Sequence, residues 1–393
     1  LSDILDGQPR TVYHGIDPSA DSAHAGNMVI WMLLHHLVAA GHTVIFLVGG
    51  GTGRIGDPKP DAERTLLAES EIDANVSTIR AQAEALIGTE KNQVVFTNNN
   101  DWLGELKLIE FLRDIGKHFT VNEIIKKDAI ASRLQTDTGL SYTEFAYPLL
   151  QGYDYFELHR QHNCTVQVGG SDQWGNIVAG VDLVRRKAQA EVHAVTVPLV
   201  TDKATGKKFG KSEGNAVWLD AEKTSPYAFY QFWLNVSDES AVEYLKLFTT
   251  IPLAEIDEIA QTFATNPGAR LAQKRLAEAV TTFVHGAETT ANVVSVSETL
   301  FGDTDVSQLN PEAITLLKAV APAATVSAGT SLVDALVATE LATSKREART
   351  FIESGAVALD TEKVTDVEAV LSAVPHQLIK RGKKQYALLE VTS

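Results

Sequence analysis

Residues 28–40, MVIWMLLHHLVAA, are followed by Gly41 and then by TVIFLVG, which ends at Gly49. The first run is apolar on every side, long enough for about three turns of helix, and is stopped by a glycine. The second is β-branched and lacks polar alternation, the mark of a strand covered on both faces. A buried helix that feeds a buried strand ending in glycines sets the rhythm of an α/β parallel sheet. Later runs repeat it: QVVF at 93–96, TVQVGG at 165–170 and AVTVPLV at 194–200, with helical patterns between them at 105–115 and 173–190. From about Ser237 to Leu300 strand signals give way to Ala/Leu/Glu-rich helical patterns. Residues 303–327, with Pro311 and Pro322 and little periodicity, read as a linker. The last 66 residues, 328–393, read as a small α+β unit. It has a helix near 331–338, another at 344–353 capped by Thr343 or Ser344 and stopped by Gly355, then short strands to YALLEV.

A chain of 393 residues exceeds what one core holds, and 44% hydrophobic with 21% charged residues is ordinary globular composition. A single cysteine, Cys164, excludes a disulfide framework and a cysteine-rich zinc site and suits a reducing compartment. No run approaches a membrane span, and LSDILDGQPR lacks a signal pattern, so a cytoplasmic protein without membrane contact is expected. A net charge of −16 speaks against nucleic acid as a partner of the whole surface. The tail from Ala328 is nearly balanced, however, at 8 Lys+Arg to 9 Asp+Glu. It clusters Lys345, Arg346 and Arg349, and again Lys380, Arg381, Lys383 and Lys384, which is compatible with local RNA contact or with ordinary solvated charge.

Three glycine-bearing stretches stand out. Gly51-Thr52-Gly53-Arg54-Ile55-Gly56 matches the dinucleotide fingerprint G-x-G-x-x-G after a strand. Asp57-Pro58-Lys59-Pro60 follows, where that fingerprint needs a helix to open, and prolines prevent one. A dehydrogenase, which would bind NAD, is therefore disfavoured, and the glycines are expected to let the backbone approach a ligand. In YHGIDPSADSAHAGN (13–27) a strand ends in a loop that opens the 28–40 helix, with Ser22 the expected N-cap. Helix N-termini attract anions; His24 and Asn27, three apart, share a face of the first turn, and Gly26 would admit an adenine ring. In KKFGKSEGNAVWLD (207–220), Gly210 and Gly214 would each cost a helix about 1 kcal/mol. Lys208 and Lys211 suit no strand face, so this stretch reads as a charged loop for a phosphate chain, with a plain solvated turn as the bland alternative.

Together, His24-Ala25-Gly26-Asn27 and Lys208-Phe209-Gly210-Lys211-Ser212 resemble the paired signature of the class I aminoacyl-tRNA synthetases, His-Ile-Gly-His and Lys-x-x-Lys-Ser. YTEFAYPLLQGYD (142–154), QVGGSDQWGNIVAG (167–180), FLRDIGKHFTVN (111–122) and KTSPYAFYQFW (223–233) resemble the bacterial tyrosyl-tRNA synthetases. The resemblance spans residues 11 to 300, and the tail is similar to that family's S4-type RNA-binding domain. It implies a Rossmann-like parallel-sheet catalytic domain at 1–236 with an inserted dimer-interface segment at about 98–165. An α-helical domain at 237–302, the linker at 303–327 and an S4-like domain at 328–393 would follow.

The implied activity is that of a tyrosine–tRNA ligase, which makes tyrosyl-adenylate and pyrophosphate from L-tyrosine and ATP, then passes tyrosyl to the 3′ end of tRNA(Tyr). By the same resemblance Tyr13 and Asp154 receive the phenol hydroxyl, and Asp57, Tyr147 and Gln151 hold the ammonium, with Gln173 nearby. Tyr147, Gln151 and Asp154 are spaced four and three apart, which puts them on one helical face. A site that hydrogen-bonds a hydroxyl strongly rejects the analogue lacking it, a rule for which tyrosyl-tRNA synthetases are themselves a standard illustration. ATP would meet Gly15, Asp17, His24, Gly26, Asn27, Gly170 and Asp172, with Asp172 toward the ribose. Ser19, His24 and Asn27 would hold the phosphates on one side, Lys208, Lys211 and Ser212 on the other.

Mg²⁺ is expected only as the counter-ion of ATP, with no metal site made by the protein. Arg185 and Arg186 are expected at the acceptor arm, and Lys345, Arg346, Arg349, Lys383 and Lys384 on tRNA phosphates. A homodimer is implied, with 111–122 as the interface candidate or else internal core. The chain departs from the family at Asn27, where the second signature His is usual, at His14, often Cys, and at Ser19 in place of Thr. Lys59, Asp61 and Arg64 stand where the family carries more lysine, and only Arg64 is taken there as a phosphate contact. Two rivals remain: a tryptophan-activating relative, against which the hydroxyl-directed Tyr13 and Asp154 speak, and a catalytically silent RNA-binding paralogue, which pyrophosphate exchange would separate.

Overall fold

The computed structural model describes residues 2–58, 65–88, 93–135, 139–201, 203, 206, 209, 211–212, 215–382 and 384–392. The chain divides into two compact units, Leu1–Thr224 with Val236–Leu276, and Ser225–Asn235 with Ala277–Ser393.

The first unit is built on five parallel strands, β1 (Thr11–Ile16), β2 (Thr43–Val48), β3 (Val94–Asn98), β4 (Cys164–Gly170) and β5 (His193–Val197), in the order β3-β2-β1-β4-β5. This is the α/β parallel sheet that the alternation of apolar runs predicts. Val44, Ile45 and Phe46 of β2 are wholly buried, which is why that strand reads as a continuous apolar run. The Met28–Ala39 helix buries Trp31, Met32 and Leu34, with the Trp31 ring edge-on to Phe46 at 5.4 Å. Each such side chain contributes about 1.5–3 kcal/mol. Winding reverses between β1 and β4, and the crevice beyond the carboxyl ends of strands at such a reversal is where doubly wound sheets hold ligands.

Between β3 and β4 the chain leaves the sheet for a set of helices that includes Leu108–Asp114, Asp128–Leu134 and Tyr142–His162. Ser141 caps the last of these by accepting from the Glu144 N–H at 3.2 Å. Glu144 in turn accepts two hydrogen bonds from Arg133, at 2.9 and 3.1 Å, and both side chains are buried. The Leu108–Asp114 helix buries none of its residues. Within 111–122, Ile115 is inside while Leu112 and Val121 face out. Leu108, Ile109 and Tyr142 are also exposed, each by about 70% or more of its surface (69%, 73% and 71%).

In the second unit, β8 (Ala323–Ser327), β9 (Val357–Leu359), β10 (Glu362–Val364), β11 (His376–Arg381) and β12 (Gln385–Thr392) form a sheet in the order β10-β9-β11-β12-β8. (β6 and β7, Lys211–Ser212 and Asn215–Ala216, pair as a two-stranded ribbon in the first unit.) All neighbours are antiparallel except β12 and β8. The Leu332–Ala338 and Lys345–Glu353 helices cover it, and Leu336, Ile352, Ile379 and Leu389 meet in the core. Ser344, of the two residues considered, makes the N-cap, and Gly355 at φ +67° ends the helix.

The stretch read as a linker carries regular structure. Residues 311–320 form the Pro311–Val320 helix and 323–327 form β8. Pro311 sits at the first helical position after the Asn310 cap, where a missing N–H costs nothing. The proline therefore marks a start, and Ala313 and Leu317 bury against Leu378 and Leu388.

Candidate functional site

Beyond the ends of β1 and β4 lies a cavity of about 300 Å³. All six residues expected to bind tyrosine (Tyr13, Asp57, Tyr147, Gln151, Asp154 and Gln173) line it. So do Gly15, Asp17, Ser19, His24, Gly26, Asn27, Gly170 and Asp172 from the nucleotide set. Lys208 lies outside the described residues, as do Arg64, Lys383 and the side chains of Lys211 and Ser212.

The Tyr142–His162 helix turns Tyr147, Gln151 and Asp154 inward on one face, as their spacing requires. Asp154 accepts from Trp102 Nε1 at 2.7 Å and from Asn99 Nδ2 at 2.9 Å. Burial pushes its carboxyl up to about 7, and the two donors pull against that rise. Asn99 also donates to Thr52 Oγ1, which donates to Asp17 at 2.7 Å. Tyr147 donates to the other Asp17 oxygen at 2.8 Å, so Asp17, expected with the nucleotide, is tied into the amino-acid side. Asp57 accepts from Gln173 at 2.9 Å and from Asn176 at 3.0 Å.

Three buried polar atoms on this lining have no hydrogen-bond partner among the described residues: Tyr13 Oη, Gln151 Oε1 and Gln167 Oε1. Tyr13 and Gln167 are register partners across β1 and β4, which sets their side chains on one face of the sheet. Burial, then the nearby Asp154 charge, holds the Tyr13 phenol well above its ordinary range, so it stays protonated. Buried polar groups are rarely left without partners; three converging on one cavity mark a place for a polar ligand.

Sequence reasoning missed Asn99, Trp102, Thr52 as a bonding group, Gln167 and Asn176. Asn98-Asn99-Asn100 directly after a strand was the available signal, since strand carboxyl ends of an α/β sheet carry sites.

At the other end, His24 rather than Ser22 makes the cap. Its Nδ1 accepts from Gly26 N–H at 3.1 Å, and Asn27 Oδ1 accepts from His24 N–H at 3.0 Å, a reciprocal capping box around residues 25–27. Ser22 Oγ instead donates to the Ala23 carbonyl and accepts from Gln82. The bond to Nδ1 places the proton of a neutral His24 on Nε2, where it can be donated to an anion. A Cβ on Gly26 would stand 3.3 Å from the Phe209 carbonyl oxygen and 2.9 Å from the His24 ring. Phe209 is buried against Tyr244 and Phe248, at ring distances of 4.8 and 5.1 Å. His14, buried and bonded through Nδ1 to the Val168 carbonyl at 3.1 Å, is pushed down to about 4 by burial and is neutral.

Gly51 and Gly53 are packed closely against protein neighbours. A Cβ on Gly53 would lie 2.9 Å from Pro18, and one on Gly51 3.1 Å from Leu103. Residues 52–54 make one short 3₁₀ turn, so no helix opens there as a dinucleotide site needs.

A second cavity, of about 570 Å³, shares Asp57 and Asp172 with the first and is also lined by Asn176. It adds the half-exposed ring of Trp174, Lys126 and Arg186. Arg186 also bonds the His118 carbonyl and lies 3.7 Å from Glu123, whereas Arg185 pairs with Asp182. In the second unit, Lys345, Arg346, Arg349 and Lys384 are exposed, with Lys345 2.6 Å from Asp334. Among the described residues no three His, Cys, Asp or Glu side chains could jointly hold a metal ion, and no helix is long and apolar enough to cross a membrane.

Residues 6–302 match the model of the tRNA synthetases class I (W and Y), and residues 313–389 that of the tyrosine--tRNA ligase SYY-like C-terminal domain. The tyrosine--tRNA ligase of Leuconostoc mesenteroides is 48% identical over 387 residues, 96% of this chain and 92% of the relative. That of Lactococcus lactis subsp. cremoris is 47% identical over 399 residues, 99% and 94%. Among solved structures, a C-terminally truncated mitochondrial tyrosyl-tRNA synthetase from Aspergillus nidulans aligns with a TM-score of 0.66 at 32% identity, covering 75% of this chain and 86% of that one. A tryptophanyl-tRNA synthetase from Encephalitozoon cuniculi shares the fold at a TM-score of 0.55 and 15% identity, over 74% and 82%. The chain belongs to the class I tRNA synthetases of the tryptophan and tyrosine branch and, within them, to the tyrosine--tRNA ligase family.

Proposed function

We propose that the 300 Å³ cavity is where this ligase activates L-tyrosine with ATP before the tyrosyl group passes to tRNA. The observation that carries the reading is the convergence of Tyr13 Oη, Gln151 Oε1 and Gln167 Oε1, without partners among the described residues, on a cavity that also holds Asp154. A phenol hydroxyl meets Tyr13 and Asp154. An ammonium finds Gln151 Oε1 and the Asp57 carboxylate, with Tyr147 held beside them by Asp17. The tyrosine carboxylate is already a nucleophile, so attack on the α-phosphorus needs no general base, and the work is positioning and charge stabilisation. As pyrophosphate leaves, His24 Nε2–H and the Asn27 amide donate to it from one side, and Lys208, Lys211 and Ser212 are assigned to the other. Asp17 accepts from Thr52 and Tyr147 and Asp57 from Gln173 and Asn176, which orients both carboxylates toward an ammonium. Mg²⁺ is read as the counter-ion of ATP.

The second cavity, open beside Asp172, suits the 3′ end of tRNA, with Trp174 offering a ring for a base to stack on. Arg185 is read as a contact of the acceptor arm, alongside Arg186. In this reading residues 1–236 are catalytic, 237–302 and 328–393 serve tRNA, and Lys345, Arg346, Arg349, Lys383 and Lys384 meet phosphates in a cytoplasmic enzyme. The exposed Leu108, Ile109, Leu112, Val121 and Tyr142 support a homodimer through the 98–165 insert.

Amino-acid-dependent ATP–pyrophosphate exchange with tyrosine, phenylalanine and tryptophan tests this. Exchange with tyrosine alone is expected. Exchange driven by tryptophan, or by no amino acid, overturns the assignment of the cavity.

A further inference from the structure

The stretch KTSPYAFYQFW begins with a lysine that the tyrosine and nucleotide contacts leave unused. In the structure Lys223 Nζ lies 2.6 Å from Asp21 Oδ1 and 5.3 Å above the ring of Trp218. Trp218 is in turn the β-bridge partner of His24, with the two rings 6.1 Å apart and tilted by 58°. The backbone around this bridge is stitched on both sides, by Ala25 N–H to the Val217 carbonyl at 2.8 Å and Leu219 N–H to the Ala23 carbonyl at 2.9 Å. Trp218 N–H also donates to Thr224 Oγ1 at 3.0 Å, in the turn that carries Lys223. Side chains and backbone thus close a loop from Asp21 through His24 and Trp218 to Lys223 and back to Asp21.

The imidazole of His24 is bounded on one edge by Gly26 N–H, which fixes Nδ1, and has the tilted indole as its ring neighbour. The indole is half-exposed and stands on a short bridge rather than in a core. The contacts that hold its plane include a cation over the ring, which attracts the π-face, and that cation is tethered by Asp21. With the Lys223 side chain 32% and the Asp21 side chain 56% exposed, the ion pair adds little to global stability. Its influence is local, on where the indole and the imidazole sit.

We infer that Lys223 is a positioning residue for amino-acid activation, clamping Trp218 against His24 so that Nε2–H stays aimed at the departing pyrophosphate. The inference rests on the reading of His24 given above. Misplacing a donor that acts mainly in the transition state lowers kcat and leaves the affinity for tyrosine, bound at the other end of the cavity, unchanged.

The test is tyrosine-dependent pyrophosphate exchange on the full chain for Lys223→Met, Lys223→Arg, His24→Ala and the double variant Lys223→Met/His24→Ala. Lys223→Met is expected to lower kcat about fivefold to tenfold, with KM for tyrosine within about twofold of wild type. Lys223→Arg should restore kcat to within about twofold, since a guanidinium also lies over an indole and pairs with a carboxylate. In the His24→Ala background Lys223→Met should add nothing further. Full kcat in Lys223→Met beside a crippled His24→Ala overturns the clamp alone. An equal loss in both backgrounds, or failure of Lys223→Arg to restore kcat, also overturns it. Full activity of His24→Ala sinks the reading of the turn itself, and the clamp with it.

Discussion

Two sides of the same cavity are finished differently. Around Asp154 and Asp17 named donors are in place: Trp102 and Asn99 on one carboxylate, Thr52 and Tyr147 on the other. On the same lining Tyr13 Oη, Gln151 Oε1 and Gln167 Oε1 are buried as well and meet no partner among the described residues. The first group holds itself in place without a ligand, as a preorganised site must. The second carries an open hydrogen-bonding debt that, in the function proposed above, a substrate settles. Stability should therefore depend on the paired group alone, and affinity on both.

Removing a member of the paired side ought to damage both properties. Asp154→Ala strands the Trp102 and Asn99 donors in a buried place, at about 1–3 kcal/mol each. We expect a loss of about 3 kcal/mol or more by chemical denaturation, together with a fall of about a hundredfold or more in kcat/KM for tyrosine. A variant that keeps wild-type stability would show that the two donors find other acceptors, and the contrast would dissolve. On the open side the two properties should separate. Tyr13→Phe deletes a buried hydroxyl with no partner among the described residues, so stability is unchanged or slightly higher, while KM for tyrosine rises about tenfold. Joint loss of stability and affinity would move Tyr13 to the paired side.

The smallest effect is one of pH. With its carboxyl near 7 against an ordinary 3.8, Asp154 is only partly ionised in the free protein at neutral pH. Its contribution to stability is fully present below about pH 4 and is lost as pH rises through about 7, because the buried form resists charging. A phenol hydroxyl donates best to the ionised form, so KM for tyrosine should fall about fivefold between pH 6 and 8 and stay flat in Asp154→Asn. Parallel profiles in the two proteins would remove Asp154 from hydroxyl recognition.

The architecture and half of the site were legible in the sequence for a physical reason. Apolar period and glycine stops are local signals, and Tyr147, Gln151 and Asp154 share one helix, where spacing alone decides which side chains align. Asn99 and Trp102 reach Asp154 across more than fifty residues, and Gln167 meets Tyr13 only through strand pairing. No local pattern records such meetings. The cap at His24 was hidden for another reason: Ser22 is the better capping residue by type, but the bridge to Trp218 fixes His24 in extended backbone and lets its ring do that work. Pro311 and Pro322 misled because proline both breaks helices and begins them.

The parallel pairing of β8 with β12 bears on how the tail can be handled as a separate piece. A fragment cut at residue 328 would discard β8 and bare the long edge of β12, whose Ala387, Leu388 and Leu389 are wholly buried in the intact chain. An uncovered apolar edge of that kind invites strand addition and aggregation. It would also lose the Pro311–Val320 helix that covers Leu388. An expressible fragment has to start upstream of the Asn310 cap, some twenty residues before composition alone would place the cut.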